Sequence, residues 1–91
     1  MKYTPMLNKD CFFTHMTNNL ECHHIFGGSN RKHSEKYGLK VWLSQQYHNQ
    51  PPMGVHHNAK NMQILHQYGQ QVFEQTHTHK EFMDTFKRNY L

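Results

Sequence analysis

Glu21-Cys22-His23-His24-Ile25-Phe26-Gly27-Gly28 is the stretch from which the fold can be worked outward. Leu20 to Phe26 has the composition of a strand, and Gly27-Gly28 lets the chain take positive φ and turn out of it. Adjacent residues on a regular strand point to opposite faces. His23 and His24 can therefore face one site only where the strand ends or bulges, and the glycine pair stands where that would happen. Further histidines follow in Tyr47-His48-Asn49 and Gly54-Val55-His56.

Upstream, residues 1–10 hold Pro5, Asn8, Lys9 and Asp10 without a clear period and read as an irregular arm, with Tyr3, Met6 and Leu7 packing locally. Cys11-Phe12-Phe13-Thr14 has strand composition, and Asn18-Asn19 signals a turn into the next strand, so the two segments are expected to pair as a β-hairpin. Downstream, residues 29–38 are basic and polar, with no β-branched residue, and read as a loop with at most a helical turn. Leu39 to Leu43 is the best strand, with Leu39, Val41 and Leu43 on one face and Lys40 and Trp42 on the other. Ser44 can cap a short helix over residues 45–49, which Pro51-Pro52 stops.

Asn58 can cap a longer helix from Ala59 to about Gln75, with Met62, Leu65, Val72 and Phe73 at helical spacing and Gly69 as a weak point. Thr78 and Glu81 fit a capping box, after which Phe82, Met83, Phe86 and Tyr90 form one stripe of a last helix. No repeat or linker interrupts this order. The expectation is a single α+β domain: the arm, a core over residues 11–57, and a helical extension over residues 58–91.

Composition narrows the function classes. A chain of 91 residues buries only roughly 60% of its unfolded surface, so the core is thin. No apolar run approaches the ~20 residues that span a bilayer, and Met1-Lys2-Tyr3 opens no apolar signal segment. The expected location is intracellular, with no membrane partner. A net charge of +4 favours a polyanionic partner. Two cysteines, Cys11 and Cys22, are expected to be reduced, although hairpin pairing would make them neighbours. Ten histidines are the unusual count, because imidazole is both a common metal ligand and the general base best matched to neutral pH.

The pattern of His23-His24 followed at a distance by His48 resembles the HNH, or ββα-metal, nucleases. The Cys-Phe-Phe-Thr opening, the run His-His-Ile-Phe-Gly-Gly-Ser-Asn-Arg-Lys, Gly-Val-His and the closing Arg-Asn-Tyr-Leu look like a small group of phage-encoded HNH-type proteins. The likeness covers roughly residues 11–91. It implies a ββα-metal core of a short β-hairpin and helix, preceded by a strand and followed by two helices. It also implies a DNA endonuclease that nicks or cuts the duplex, working in the cytoplasm of a bacterial host.

By that resemblance His24 is the general base, His23 and His48 are metal ligands, and His56 is a candidate third, brought back by the bend at residues 51–54; an exchange of roles between His23 and His24 stays open. The cofactor would be one divalent ion. Imidazole donors suit Zn²⁺, Ni²⁺, Mn²⁺ or Mg²⁺ in falling order of nitrogen preference. Arg31, Lys32, Lys36 and Lys40 would hold the backbone of double-stranded DNA. The last helix offers a face for a homodimer.

Two departures from the family pattern stand out. Ser44-Gln45-Gln46-Tyr47-His48 occupies the place of a Cys-x-x-Cys-His, so the structural zinc pair of many relatives is missing. The middle Asn, which steadies the base, should fall near Gly38 or Leu39, and neither is Asn. A catalytically weak module that binds DNA or protein, an accessory to phage recombination or packaging, is therefore the second reading. A third is a zinc-stabilised interaction domain; Cys11, His15 and Cys22 would offer it three ligands without an evident fourth. His66, His77 and His79 read as solvated surface residues, and Phe82, Met83 and Phe86 as core.

Overall fold

A computed structural model of the chain describes residues 9–91. Most of the irregular arm, including Tyr3, Met6 and Leu7, lies outside the described residues. The elements are β1 (Leu20–His24), a 3-10 turn (Gly28–Asn30), α1 (Arg31–Tyr37), β2 (Lys40–Ser44), α2 (Gln45–His48), α3 (Ala59–Glu74) and α4 (His79–Phe86). The class is α+β: a two-stranded antiparallel sheet with helices around it. No helix among the described residues is long and apolar enough to cross a membrane.

The sheet does not form as the sequence suggests. β1 pairs with β2, from Leu20 opposite Ser44 to His24 opposite Lys40, rather than with Cys11–Thr14. The latter segment folds back on itself. Cys11 N donates to Met16 O, His15 N donates to Cys11 O, and His15 takes φ 63°. Its backbone link to the sheet is a parallel bridge between Cys11 and Trp42, on the edge of β2 away from β1. Composition favoured a strand, but Phe12 and Phe13 instead pack edge-on and stacked against Tyr68 and Tyr47.

Residues expected to be a loop form α1. The run Arg-Lys-His-Ser-Glu-Lys-Tyr lacks an apolar stripe, so its helix is fixed by tertiary contacts: the Tyr37 ring meets Phe73 at 5.0 Å, His33 meets Phe86 at 5.8 Å, and Ser34 binds the chain that leaves β1. The fully buried Ser34 hydroxyl accepts from Phe26 N at 2.9 Å and donates to Phe26 O at 2.8 Å. Both backbone groups of Phe26 are thereby satisfied where the chain leaves the sheet, as buried polar groups require.

The local readings of the helices hold better. Asn58 Oδ1 accepts from Asn61 N at 2.9 Å and caps α3. Both halves of the Thr78–Glu81 capping box are present. Ser44 follows the strand into α2 but makes no cap bond; its hydroxyl accepts from Cys11 Sγ at 3.7 Å instead. The last helix is shorter than its stripe. Lys87 takes φ 67° and ends it, and Tyr90 reaches the core from the tail, 5.2 Å from the Phe26 ring.

One core runs between these elements. Val41 and Leu43 are buried on one face of β2, as alternation requires, and with Leu39 just before the strand they meet Ile25, Phe26, Leu65, Phe73, Phe82 and Phe86. Gly69 is a packing requirement rather than a weak point of α3. A Cβ there would sit 2.7 Å from Ile25 Cγ2 and 2.8 Å from Phe26 Cε2. The glycine lets α3 lie directly on the two residues that follow the histidine pair.

Candidate metal centre

A strand, a short helix and the turn beyond it bring three imidazoles together. His23 sits on the buried face of β1, His48 is the last residue of α2, and His56 lies beyond the bend that follows α2. The bend returns the chain alongside α2: Gly54 N donates to Gln50 O at 2.7 Å and Val55 N to Tyr47 O at 2.8 Å. A Cβ on Gly54 would lie 2.7 Å from Gln50 N, so only glycine fits this return. Ring centroids are 5.3 Å apart for His23 and His48, 5.6 Å for His23 and His56, and 5.0 Å for His48 and His56. One ligand nitrogen from each lies within 4.8 Å of the others, close enough to hold a metal ion.

The ring chemistry fits ligation. Burial, followed by the neighbouring His48, His56, His66 and His24 rings, pushes the His23 pKa down to about 3. Desolvation and the adjacent His48 and His57 also lower that of His56. These rings are neutral at neutral pH, the form that offers a lone pair to a metal. His23 Nε2 is buried with no hydrogen-bond partner in the protein. An orphaned buried nitrogen of this kind costs about 1–3 kcal/mol unless something binds it.

Two carboxylates that the sequence reading missed organise the histidines. Glu21 shares the face of β1 with His23, and its Oε1 accepts from His48 Nδ1 at 2.6 Å, leaving His48 Nε2 for a ligand. Asn49 Nδ2 adds a bond to the same oxygen at 3.3 Å. Glu35, on α1, accepts from His24 Nε2 at 2.7 Å and pairs with Lys40 at 3.2 Å. The His24 and Lys40 bonds hold the Glu35 carboxyl below the usual carboxylate range. The two-residue spacing of Glu21 and His23 is visible in the sequence; the pairing of Glu35 with His24 needs α1, whose residues have the composition of a loop.

His24 ends β1. Register with β2 is one-to-one through Lys40, with no bulge, so the His23 and His24 side chains leave opposite faces of the strand. Both nevertheless border one open cleft of about 280 Å³, together with His48, His56, Arg31 and His66. Of the four basic residues expected to hold a backbone, Arg31 lines this cleft. Lys40 is paired with Glu35, Lys36 Nζ lies 5.2 Å from the Tyr37 ring centre, and Lys32 is exposed on α1.

The remaining candidates part company with the site. Cys11 is buried, Cys22 is exposed and both are free thiols, while His15 pairs with Asp10 at 2.8 Å. His23, His48 and His56 are the cluster of potential metal ligands found among the described residues, so Cys11, His15 and Cys22 do not form a zinc set. His66 is not a solvated bystander: its half-buried ring stacks on Phe26 at 5.3 Å and borders the cleft. His77 is likewise stacked on Phe73 at 4.3 Å, whereas His79 is exposed and bonded to Glu74. Compared with protein-family models, curated proteins and solved structures, the chain matches none.

Proposed function

We propose that the chain is a metal-dependent DNA endonuclease of the HNH type, with His23, His48 and His56 as the ligands of one divalent ion. The supporting observation is the convergence of these three imidazoles beside His24 and Arg31 in a single open cleft. Three protein ligands with an open side suit a catalytic site; a structural zinc is ordinarily closed by four. The antiparallel pair β1–β2 followed by the short α2, with α1 inserted between the strands and ligands on β1 and α2, supports the reading as a ββα-metal core. The donor set favours Zn²⁺, Ni²⁺ or Mn²⁺ over Mg²⁺, which prefers oxygen.

When bound, the ion supplies Lewis-acid stabilisation of charge on the scissile phosphate and the leaving oxygen. The protein's own part is proton transfer and positioning. Glu35 accepts from His24 Nε2, which leaves His24 Nδ1 free to take a proton from the attacking water. The water oxygen bonds to phosphorus, the bond to the 3′ oxygen breaks with its electron pair, that oxygen takes a proton from solvent, and the products are a 5′ phosphate and a 3′ hydroxyl; His24 returns its proton to solvent. The Glu35 carboxylate then faces the protonated ring. In this reading Glu35 does for His24 what the missing middle Asn does in the family pattern. Arg31 holds a phosphate oxygen at the rim.

The second reading, a weakly catalytic module that binds DNA or protein, draws support from the departure of His23 and His24 on opposite faces of an unbroken strand. Plasmid cleavage after chelation and re-addition of Mg²⁺, Mn²⁺, Ni²⁺ or Zn²⁺ separates the two. The nuclease reading expects metal-dependent nicking that His24→Ala lowers by roughly 10²–10⁴-fold while metal binding survives. Equal cutting by wild type and variant removes His24 from the mechanism, and DNA binding without cutting under any of the metals favours the second reading.

A further inference from the structure

A second cavity, of about 410 Å³, adjoins the metal cleft. Met62 and His66, one turn apart on α3, wall both. Its remaining lining comes from Ala59 and Gln63 on the first turns of α3 and from the tail residues Arg88, Asn89 and Tyr90. Cleft and groove thus form a continuous surface leading away from the three histidines.

The tail that borders this groove is held in place by the core. The fully buried Gln70 accepts from Tyr90 N at 2.7 Å and donates to Asn89 Oδ1 at 2.8 Å. Gln67 Nε2 donates to Tyr90 O at 3.0 Å. The Tyr90 ring packs on Phe26 and on His66, and the Arg88 guanidinium lies 5.2 Å from its centre. Asn30 Nδ2 donates to Phe86 O at 3.4 Å, tying the segment that leads into Arg31 to the one that leads into Arg88.

Arg31 and Arg88 share a further property. Neither makes an ion pair among the described residues, whereas Lys40 and Lys80 are matched to Glu35 and Asp84. Both guanidinium groups are exposed, one on the cleft and one on the groove, and no carboxylate lines either cavity. A guanidinium fork without a carboxylate partner, beside a neutral polar groove, is matched to a phosphodiester oxygen.

We infer that this groove seats the DNA strand flanking the scissile bond, with Arg88 gripping a backbone phosphate beyond the one at the metal centre. The inference rests on the nuclease reading for the identity of the strand. It extends that reading by a contact to a neighbouring phosphate, made from the C-terminal tail. Arg88 is a binding residue here and touches no reacting atom.

The test is fluorescence anisotropy of a labelled DNA duplex on the chelated full chain, across a salt series, for wild type, Arg88→Gln and Lys80→Gln. Arg88 is exposed, and thermal melts verify that each variant is folded. Arg88→Gln is expected to weaken binding by about tenfold near 0.1 M salt and to flatten the log–log salt slope by about 0.9, the effect of one lost phosphate contact. Lys80→Gln should change neither. Cleavage is scored separately on the same proteins. A duplex bound with Arg88 dependence but never cut leaves the groove standing and sinks the nuclease reading. Unchanged affinity and slope in Arg88→Gln overturn the groove even if plasmid is cut, as does a wild type that binds no duplex. Displacement of the duplex by millimolar inorganic phosphate from wild type but not from Arg88→Gln would make this a free-phosphate site and also overturn it.

Discussion

His48 Nδ1 donates to Glu21 Oε1 across 2.6 Å, joining the end of α2 to the face of β1 that carries His23. A carboxylate behind a ligating imidazole fixes its tautomer and orientation and raises its basicity. Glu21→Gln keeps the size of the side chain and removes the charge. It is expected to lower affinity for Zn²⁺ by about 10–100-fold, the ordinary effect of losing such a partner. Competition with a chromogenic chelator measures it; an unchanged affinity would mean that Glu21 does not support a metal ligand.

Gly69 sets two effects against each other. Glycine inside a helix is about 1 kcal/mol worse than alanine by propensity. A Cβ here, however, lies 2.7 Å from Ile25 Cγ2 and 2.8 Å from Phe26 Cε2, and both of those residues are buried. Overpacking of this kind costs about 1–3 kcal/mol, so the packing penalty should win. Gly69→Ala should lower the thermal midpoint, and since the displaced residues follow His23-His24, metal affinity should fall with it. A raised midpoint would show that α3 does not approach this closely.

The caps of α3 and α4 and the alternation of β2 depend on residues within one turn or one strand, and they can be read directly from the order of residues. The pairing of β1 with β2 depends on which of two candidate partners wins an edge. That is decided by Phe12 and Phe13 finding Tyr68 and Tyr47. α1 has no apolar stripe to betray it, because it is anchored by the buried hydroxyl of Ser34 and by the rings of Tyr37 and His33 against Phe73 and Phe86. For the site, the three imidazoles were legible as a set. The carboxylates behind them were not, because Glu21 meets His48 and Glu35 meets His24 only in the folded chain.

Acid should destabilise the metal-free protein through His23. Its folded pKa is about 3, against the ordinary 6.5 that the ring regains on unfolding. Above that ordinary value both states hold the ring neutral and the stability is fully present. As pH falls through the window from 6.5 towards 3, the unfolded chain takes up a proton that the folded one refuses. Between pH 6.5 and about 4.5 this ring alone should remove on the order of 2–3 kcal/mol. Urea melts of the chelated protein against pH, with His23→Gln alongside, check the sign. A stability that rises on acidification would contradict a buried neutral His23.

Calorimetric titration of Zn²⁺ into the chelated full chain at neutral pH reaches the metal centre most directly. Convergence of His23, His48 and His56 predicts one ion per chain, with affinity reduced at least about tenfold in His56→Ala, whose ring is exposed and outside the core. No uptake of metal by the wild type, or an identical isotherm for His56→Ala, would contradict it.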